Sequence, residues 1–166
     1  LGFRHLDLSA RAPVASVRGI NGTGPDATLT DVVALRRSYG AYVTATNLQV
    51  DGLTAGGADY GLYLLGGAPT SLRNLTLANN AYGLVFDGTT GGSVDATSNL
   101  VTTGSNVSIR LVNGATNATL SGLTLPGYTH GIESSTATTG GHQLLGLIAS
   151  APVPGGIGVL LTGPNN

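Results

Sequence analysis

Charged side chains that could exchange protons occur in several copies of one short element that recurs along the chain. Asp87, Arg110 and Glu133 each stand two or four residues after the small residue near the start of a copy of this element. A carboxylic acid and a base on either side of a sugar linkage is the arrangement that glycoside cleavage requires, so these three are the candidate catalytic residues. The ordinary interpretation is the stronger one, because opposite charges on neighbouring strands usually form surface pairs worth about 0–1 kcal/mol.

Tyrosines make a second candidate site, for ligand binding rather than catalysis. Tyr39, Tyr60 and Tyr82 each precede a glycine, whereas Tyr42 and Tyr63 follow one by two residues. If the copies stack, the rings form two adjacent rows that offer apolar surface and hydroxyls to a sugar. The alternative is that cross-strand tyrosine pairs only stabilise a sheet.

Metal and cofactor chemistry has little support in the sequence. There is no Cys. The three His stand at positions 5, 130 and 142, too far apart in register to predict a shared metal site. Gly56-Gly57-Ala58-Asp59 and Asn79-Asn80 only faintly resemble Ca²⁺ loops, without a repeated Gly-Gly-x-Gly-x-Asp nonapeptide. The sequence therefore predicts no metal site and no cofactor, with Ca²⁺ as the alternative.

The element that must position these side chains is a repeat with a period of about 23 residues. It alternates apolar and outward residues after a small residue, as in Tyr60-Gly61-Leu62-Tyr63-Leu64, which is the period of a half-buried strand. The small residues are Gly19, Gly40, Gly61, Gly83, Ser108, Gly131 and Gly156. Seven copies predict about seven coils, with an outward row running Asn21, Tyr42, Tyr63, Val85, Arg110, Glu133, Gly158.

A second pattern, apolar-x-x-apolar-x-apolar, recurs in phase with the first. Its first apolar positions are Phe3, Leu29, Ala45, Leu72, Leu120 and Leu144, with a degraded copy at Thr97. The residue before the second apolar position is usually Asn, Asp or Gly, which tolerate the left-handed backbone of a corner. These corner residues are Asp31, Asn47, Asn74, Asn99, Gly122 and Gly146. The copy at Ala45 follows the previous one by only 16 residues, so the phase between Val32 and Val50 is open.

Stacked copies of this kind bury a continuous aliphatic core that no single copy could bury alone. The best copy runs Asn74-Leu75-Thr76-Leu77, then Asn80, then Gly83-Leu84-Val85-Phe86. In this form the sequence resembles the pectin-lyase-like superfamily of right-handed parallel β-helices. The resemblance implies an all-β solenoid over almost the whole chain, and it implies carbohydrate as a ligand class. Residues 1–166 are expected to be one domain, and a segment of a longer solenoid.

The composition limits the classes of partner that this protein could bind. With seven Lys plus Arg and a net charge of −1, the chain has no basic patch for nucleic acid, and no apolar run is long enough to span a membrane. Familiar polysaccharide-cleaving signatures are missing. We therefore expect an extracellular or cell-surface structural or recognition module, bacterial or viral, that binds a polysaccharide or cell-surface glycan. A polysaccharide lyase or glycoside hydrolase is the alternative. Open strand edges at the ends predict end-to-end or homo-oligomeric association.

Overall fold

The chain folds into stacked parallel strands with almost no helix. A computed structural model describes residues 1–12, 14–134, 140–150 and 153–162. The regular structure of that part consists of these strands and one 3₁₀ helix: β1 (Gly2–Asp7), β2 (Val14–Val33), β3 (Arg37–Thr54), β4 (Tyr60–Leu65), β5 (Pro69–Thr76), β6 (Tyr82–Asp87), β7 (Ser93–Asp95), the 3₁₀ helix Ala96–Ser98, β8 (Val107–Val112), β9 (Thr119–Ser121), β10 (Thr124–Pro126), β11 (His130–Ser134), β12 (Gln143–Leu145), β13 (Ile148–Ser150) and β14 (Ile157–Leu161).

Strand order shows that the chain is a parallel β-solenoid. The main sheet runs β1-β2-β3-β4-β6-β8-β11-β14, with β5 also paired to β3, and smaller sheets run β10-β13 and β12-β9-β7. Every pairing is parallel. Each strand therefore lies on the equivalent strand of the previous coil, as the repeat predicts, at the usual spacing of about 4.8 Å.

The glycines that begin the repeat form one column through the stack. The register aligns Gly19, Gly40, Gly61, Gly83, Ser108, Gly131 and Gly158. These seven residues delimit about six turns, one fewer than the predicted seven coils. The prediction of Gly156 for the last copy is wrong, because Ile132 pairs with Val159; the outward row accordingly ends at Leu160 rather than Gly158.

Alternate residues of the central strands point into an aliphatic interior. Leu62 and Leu64 of β4 are buried, for example, whereas Tyr63 between them is only half-buried. The largest fully buried side chains are Tyr128, Phe86, Leu29, Leu48, Leu53, Leu62, Leu64, Leu72, Leu75, Leu77, Leu84 and Ile109. Burying each such side chain contributes about 1.5–3 kcal/mol, so the stack is stabilised mainly by this ladder.

Corners are formed by the residues that tolerate a left-handed backbone. Positive φ angles occur at Asp31, Asn74, Asn99, Gly122 and Gly146, as the sequence predicts. The prediction of Asn47 is wrong. Leu29 pairs with Val50 and Val50 with Leu72, so the corner of that coil is Gly52, at φ 84°. The copy that the sequence placed at Ala45 therefore begins at Val50, and the next copy keeps its expected start at Leu72.

One coil carries an insertion that the pattern did not show. Val94 of β7 is fully buried and pairs with Leu120, so it takes the position predicted for Thr97. The 3₁₀ helix Ala96–Ser98 follows, and its N-terminus is capped by the Asp95 carboxylate, which accepts a hydrogen bond from Thr97 N at 2.8 Å. The core position moved because the helix adds a turn before the corner at Asn99.

Candidate functional site

The stacking places the predicted site residues in two neighbouring outward columns. Tyr39, Tyr60 and Tyr82 pair in register, followed by Val107 and His130. The second column runs Asn21, Tyr42, Tyr63, Val85, Arg110, Glu133. All the candidate ligand-binding tyrosines therefore lie together on one face of the main sheet. We call Tyr39, Tyr42, Tyr60, Tyr63 and Tyr82 the tyrosine face.

The five rings of the tyrosine face pack on one another. Within the columns they stack nearly parallel, with centroids 4.6 Å apart for Tyr39 and Tyr60, 5.2 Å for Tyr60 and Tyr82, and 5.3 Å for Tyr42 and Tyr63. Between the columns they meet edge to face at 5.1–5.5 Å. Such pairs contribute about 0.5–1.5 kcal/mol each beyond their buried area. Much of each ring face inside a stack is therefore covered by a neighbouring ring, so ring edges, hydroxyls and the end rings of the stacks remain for a ligand.

Arginines lie over both ends of the tyrosine face. The Arg18 guanidinium carbon is 3.7 Å from the Tyr42 centroid and 5.5 Å from that of Tyr39, and the Arg110 carbon is 4.6 Å from that of Tyr82. Cations attract the electron-rich faces of aromatic rings. Arg18 was not among the site residues predicted from the sequence. The available signal was its position directly before Gly19, where the next coils carry tyrosine.

Asp87 is held by a tyrosine of this face. The hydroxyl of Tyr63 donates a hydrogen bond to Asp87 Oδ2, and Asp87 is only 6 % exposed. Burial, together with the hydrogen bond to the Asp87 carboxylate and its charge, raises the pKa of Tyr63 above its usual value of 10.0. Burial also raises the pKa of Tyr60. The register puts Asp87 diagonally across from Arg110, as expected, but the partner that the structure shows for it is Tyr63.

Arg110 and Glu133 form an ion pair that includes a histidine. Arg110 Nε is 3.1 Å from Glu133 Oε1, and His130 Nδ1 is 2.9 Å from Glu133 Oε2. The Glu133 side chain is 12 % exposed. Because each carboxylate oxygen has a nitrogen neighbour, the Glu133 side chain is held in place. The sequence puts His130 and Glu133 on the same predicted strand but does not indicate a contact between their side chains.

Two depressions flank the tyrosine face. One of about 240 Å³ is lined by Tyr60, Tyr63, Val85, Arg110, Val112 and Asn113, and we call it the Arg110 depression. The other, of about 640 Å³ and lined mainly by polar groups, is formed by Ser16, Val17, Arg18, Asn21, Ser38 and Tyr39. Arg18 donates a hydrogen bond to Asn21 Oδ1 at 2.8 Å in its wall. Both combine an aromatic wall with nitrogen donors, as small-ligand sites do.

The remaining histidines lie elsewhere. His5 and Asp31 sit on neighbouring corners with Nδ1 3.3 Å from Oδ2, both exposed. His142 Nδ1 accepts a hydrogen bond from Ala118 N at 3.2 Å, and burial lowers the pKa of His142. Over residues 1–12, 14–134, 140–150 and 153–162, no three of the His, Asp and Glu side chains are grouped so as to hold a metal ion.

Comparisons with family models, with characterised proteins and with solved structures find no match to this chain. Among the described residues, no helix has the length and apolar character needed to cross a membrane. The fold and the geometry of the tyrosine face are therefore the basis for a functional proposal.

Proposed function

We propose that this solenoid is an extracellular recognition module that binds a polysaccharide or cell-surface glycan across the tyrosine face. The observation that carries the proposal is the fixed array of five tyrosines, ordered by stacking in register and flanked by Arg18 and Arg110. Tyrosine is a favoured contact residue because it presents a large, rigid apolar surface together with a hydroxyl. The stacked sheet supports the array, so little side-chain freedom is lost on binding.

The Arg110 depression is the proposed primary subsite. Tyr63 ends the two-ring stack that it shares with Tyr42, and it lines this depression together with the apolar side chain of Val85. A sugar ring placed there would pack its C–H face on Tyr63. Its hydroxyls would find donors on Arg110 and Asn113 at the rim. Further sugar units would follow the tyrosine edges along the stack.

Catalysis is the second candidate, because the three predicted residues occupy adjacent register positions. Arg110 pairs with Glu133, and Asp87 lies two residues along β6 from Val85, the member of their column in that coil. This placement supports a polysaccharide lyase or glycoside hydrolase of the pectin-lyase-like type. The contacts favour recognition instead, since Glu133 is held by Arg110 and His130 and Asp87 by Tyr63.

A glycan array combined with a depolymerisation screen separates the two candidates. Recognition predicts binding that is lost in Tyr42→Ala and Tyr63→Ala and retained in Glu133→Gln and Asp87→Asn. The matched control is Arg73→Ala, whose exposed side chain belongs to β5, outside the tyrosine face. New reducing or unsaturated ends that disappear in the two carboxylate variants would establish the enzyme instead. Unchanged binding in both tyrosine variants would refute the proposed surface.

End-to-end association remains a prediction of the sequence. Ile157, Val159 and Leu161 of β14 are each more than 40 % exposed, which leaves apolar surface beside the outer strand of the main sheet. Sedimentation velocity over a range of protein concentrations tests it. A sedimentation coefficient that rises with concentration supports association, and a constant monomer value contradicts it.

A further inference from the structure

Tyrosine is the side chain of this protein that loses an electron most readily. The sequence has no Cys, Met or Trp, which are the usual competitors, and it has six Tyr. Five of the six form the tyrosine face, with ring centroids 4.6–5.5 Å apart between neighbours. Rings in contact exchange electrons readily. The sixth, Tyr128, is 1 % exposed in the core and lies outside this array.

A phenol is oxidised most easily where a neighbouring base can accept its proton. Removing an electron makes the phenol strongly acidic, so a base in hydrogen-bond contact lowers the cost of the step. Within the part of the chain that the structure describes, Tyr63 is the tyrosine whose hydroxyl donates to a carboxylate, that of Asp87. Asp87 is nearly buried, which keeps competing water away from this bond.

The arginines favour the same position. A guanidinium over a ring opposes removal of an electron from it, because positive charge would then face positive charge. Arg18 lies over Tyr42 and Tyr39, and Arg110 lies over Tyr82. The cation–ring contacts of the described residues thus involve Tyr39, Tyr42 and Tyr82. Tyr60 and Tyr63 belong to the coil that lies between the coils of those rings.

We propose that the tyrosine face is a site of one-electron oxidation, with Tyr63 as the terminal electron donor and Asp87 as its proton acceptor. A one-electron oxidant in solution takes an electron from an exposed ring edge of the face. Tyr63 then supplies an electron, through transfer from ring to ring, to the ring that was oxidised first. There the O–H bond of Tyr63 breaks and an O–H bond forms on Asp87 Oδ2. The products are a neutral Tyr63 phenoxyl radical, a neutral Asp87 carboxylic acid and the oxidant reduced by one electron.

This inference is independent of glycan binding, because it requires only the tyrosine face and the contact between Tyr63 and Asp87. It identifies Tyr63 as the residue that oxidative modification reaches first. If exposure alone decided the site of modification, all five rings would be modified to similar extents, because all five are half-buried.

The test uses the whole chain with photogenerated tris-bipyridine ruthenium(III) as the oxidant. The visible absorption of the phenoxyl radical gives the rate, and peptide mass spectrometry after trapping gives the position. We expect modification concentrated at Tyr63 and a slower reaction in D₂O. Asp87→Asn keeps the shape but removes the base, and it should lower the rate at Tyr63 by about 10²-fold, the lower end of what a positioned proton acceptor contributes.

Two controls keep the result interpretable. Tyr128→Phe removes a tyrosine outside the array and should leave rate and position unchanged, whereas Tyr63→Phe should move the modification to other rings and slow it. The D₂O measurement is made on the unaltered protein, so a variant that fails to fold does not remove the test. Equal modification of all five rings, or a rate at Tyr63 that is the same in D₂O and H₂O, would overturn the proposal.

Discussion

Adding one methyl group at Gly61 should destabilise the whole stack. A Cβ built there would lie 2.6 Å from the carbonyl oxygen of Gly83 and 3.1 Å from Leu77 Cβ. It would also lie 2.8 Å from Asn80 Nδ2, which donates a buried hydrogen bond to Ala55 O. The backbone carbonyl belongs to the next coil and cannot retreat without disturbing the strand pairing there.

The expected loss follows from these contacts. Overpacking a tight interior costs about 1–3 kcal/mol, and disturbing a buried hydrogen bond adds about 1–3 kcal/mol. Alanine has a lower chain entropy than glycine in the unfolded state, and this difference stabilises the folded state by about 0.5–1 kcal/mol. We therefore expect Gly61→Ala to lower the free energy of unfolding by about 1–5 kcal/mol.

Ser108 provides a matched control in the same column. It already carries a Cβ, and its buried hydroxyl has no hydrogen-bond partner among the described residues. Ser108→Ala removes that unsatisfied group, so the free energy of unfolding should stay within about 1 kcal/mol of the parent or rise. Urea unfolding followed by circular dichroism measures both variants, compared at equal denaturant slope. A Gly61→Ala midpoint equal to that of the parent, or an equal loss in Ser108→Ala, would refute this account of the column.

Three further predictions concern a corner and two ionisable groups. Asn74→Ala should cost about 1–2 kcal/mol because its φ is 52°, whereas Asn74→Gly should cost less; urea unfolding compares them, and equal losses would contradict it. The pKa of His142 is lowered in the folded state, so stability should fall as pH drops below 6.5 through the folded pKa, and thermal melts of His142→Gln should lack this trend. The pKa of Tyr63 is raised, so stability should be lost above pH 10; ultraviolet titration should show a late-ionising tyrosine that Tyr63→Phe removes.

The sequence was sufficient for the corners wherever only one alignment of the pattern was available. Asp31, Asn74 and Asn99 were identified because each stands before an aliphatic residue that recurs in the next coil. Between Val32 and Val50 two alignments satisfy the same local spacing, and both supply a turn former, Asn47 or Gly52. Pairing of Val50 with residues of both adjacent coils decides between them, and such pairing is a property of the stack.

The columns of the candidate site could be predicted, but their contacts could not. Register follows from the repeat, so the sequence placed Tyr42 beside Tyr63 and Arg110 beside Glu133. Side-chain direction depends on χ angles and on neighbours outside the repeat. The stacking of Arg18 on Tyr42 and the hydrogen bond from Tyr63 to Asp87 therefore emerged only from the structure.

Coil length varies, while the alignment of the outward columns in the main sheet does not. Successive column residues are 21 apart at Gly19, Gly40 and Gly61, but 25 apart from Gly83 to Ser108 and 27 apart from Gly131 to Gly158. The extra residues between Gly83 and Ser108 lie outside β6 and β8, and the 3₁₀ helix is one of the added segments. Connecting segments can therefore gain or lose residues through evolution, or accept grafted sequences in the laboratory, while the spacing of the outward columns stays constant.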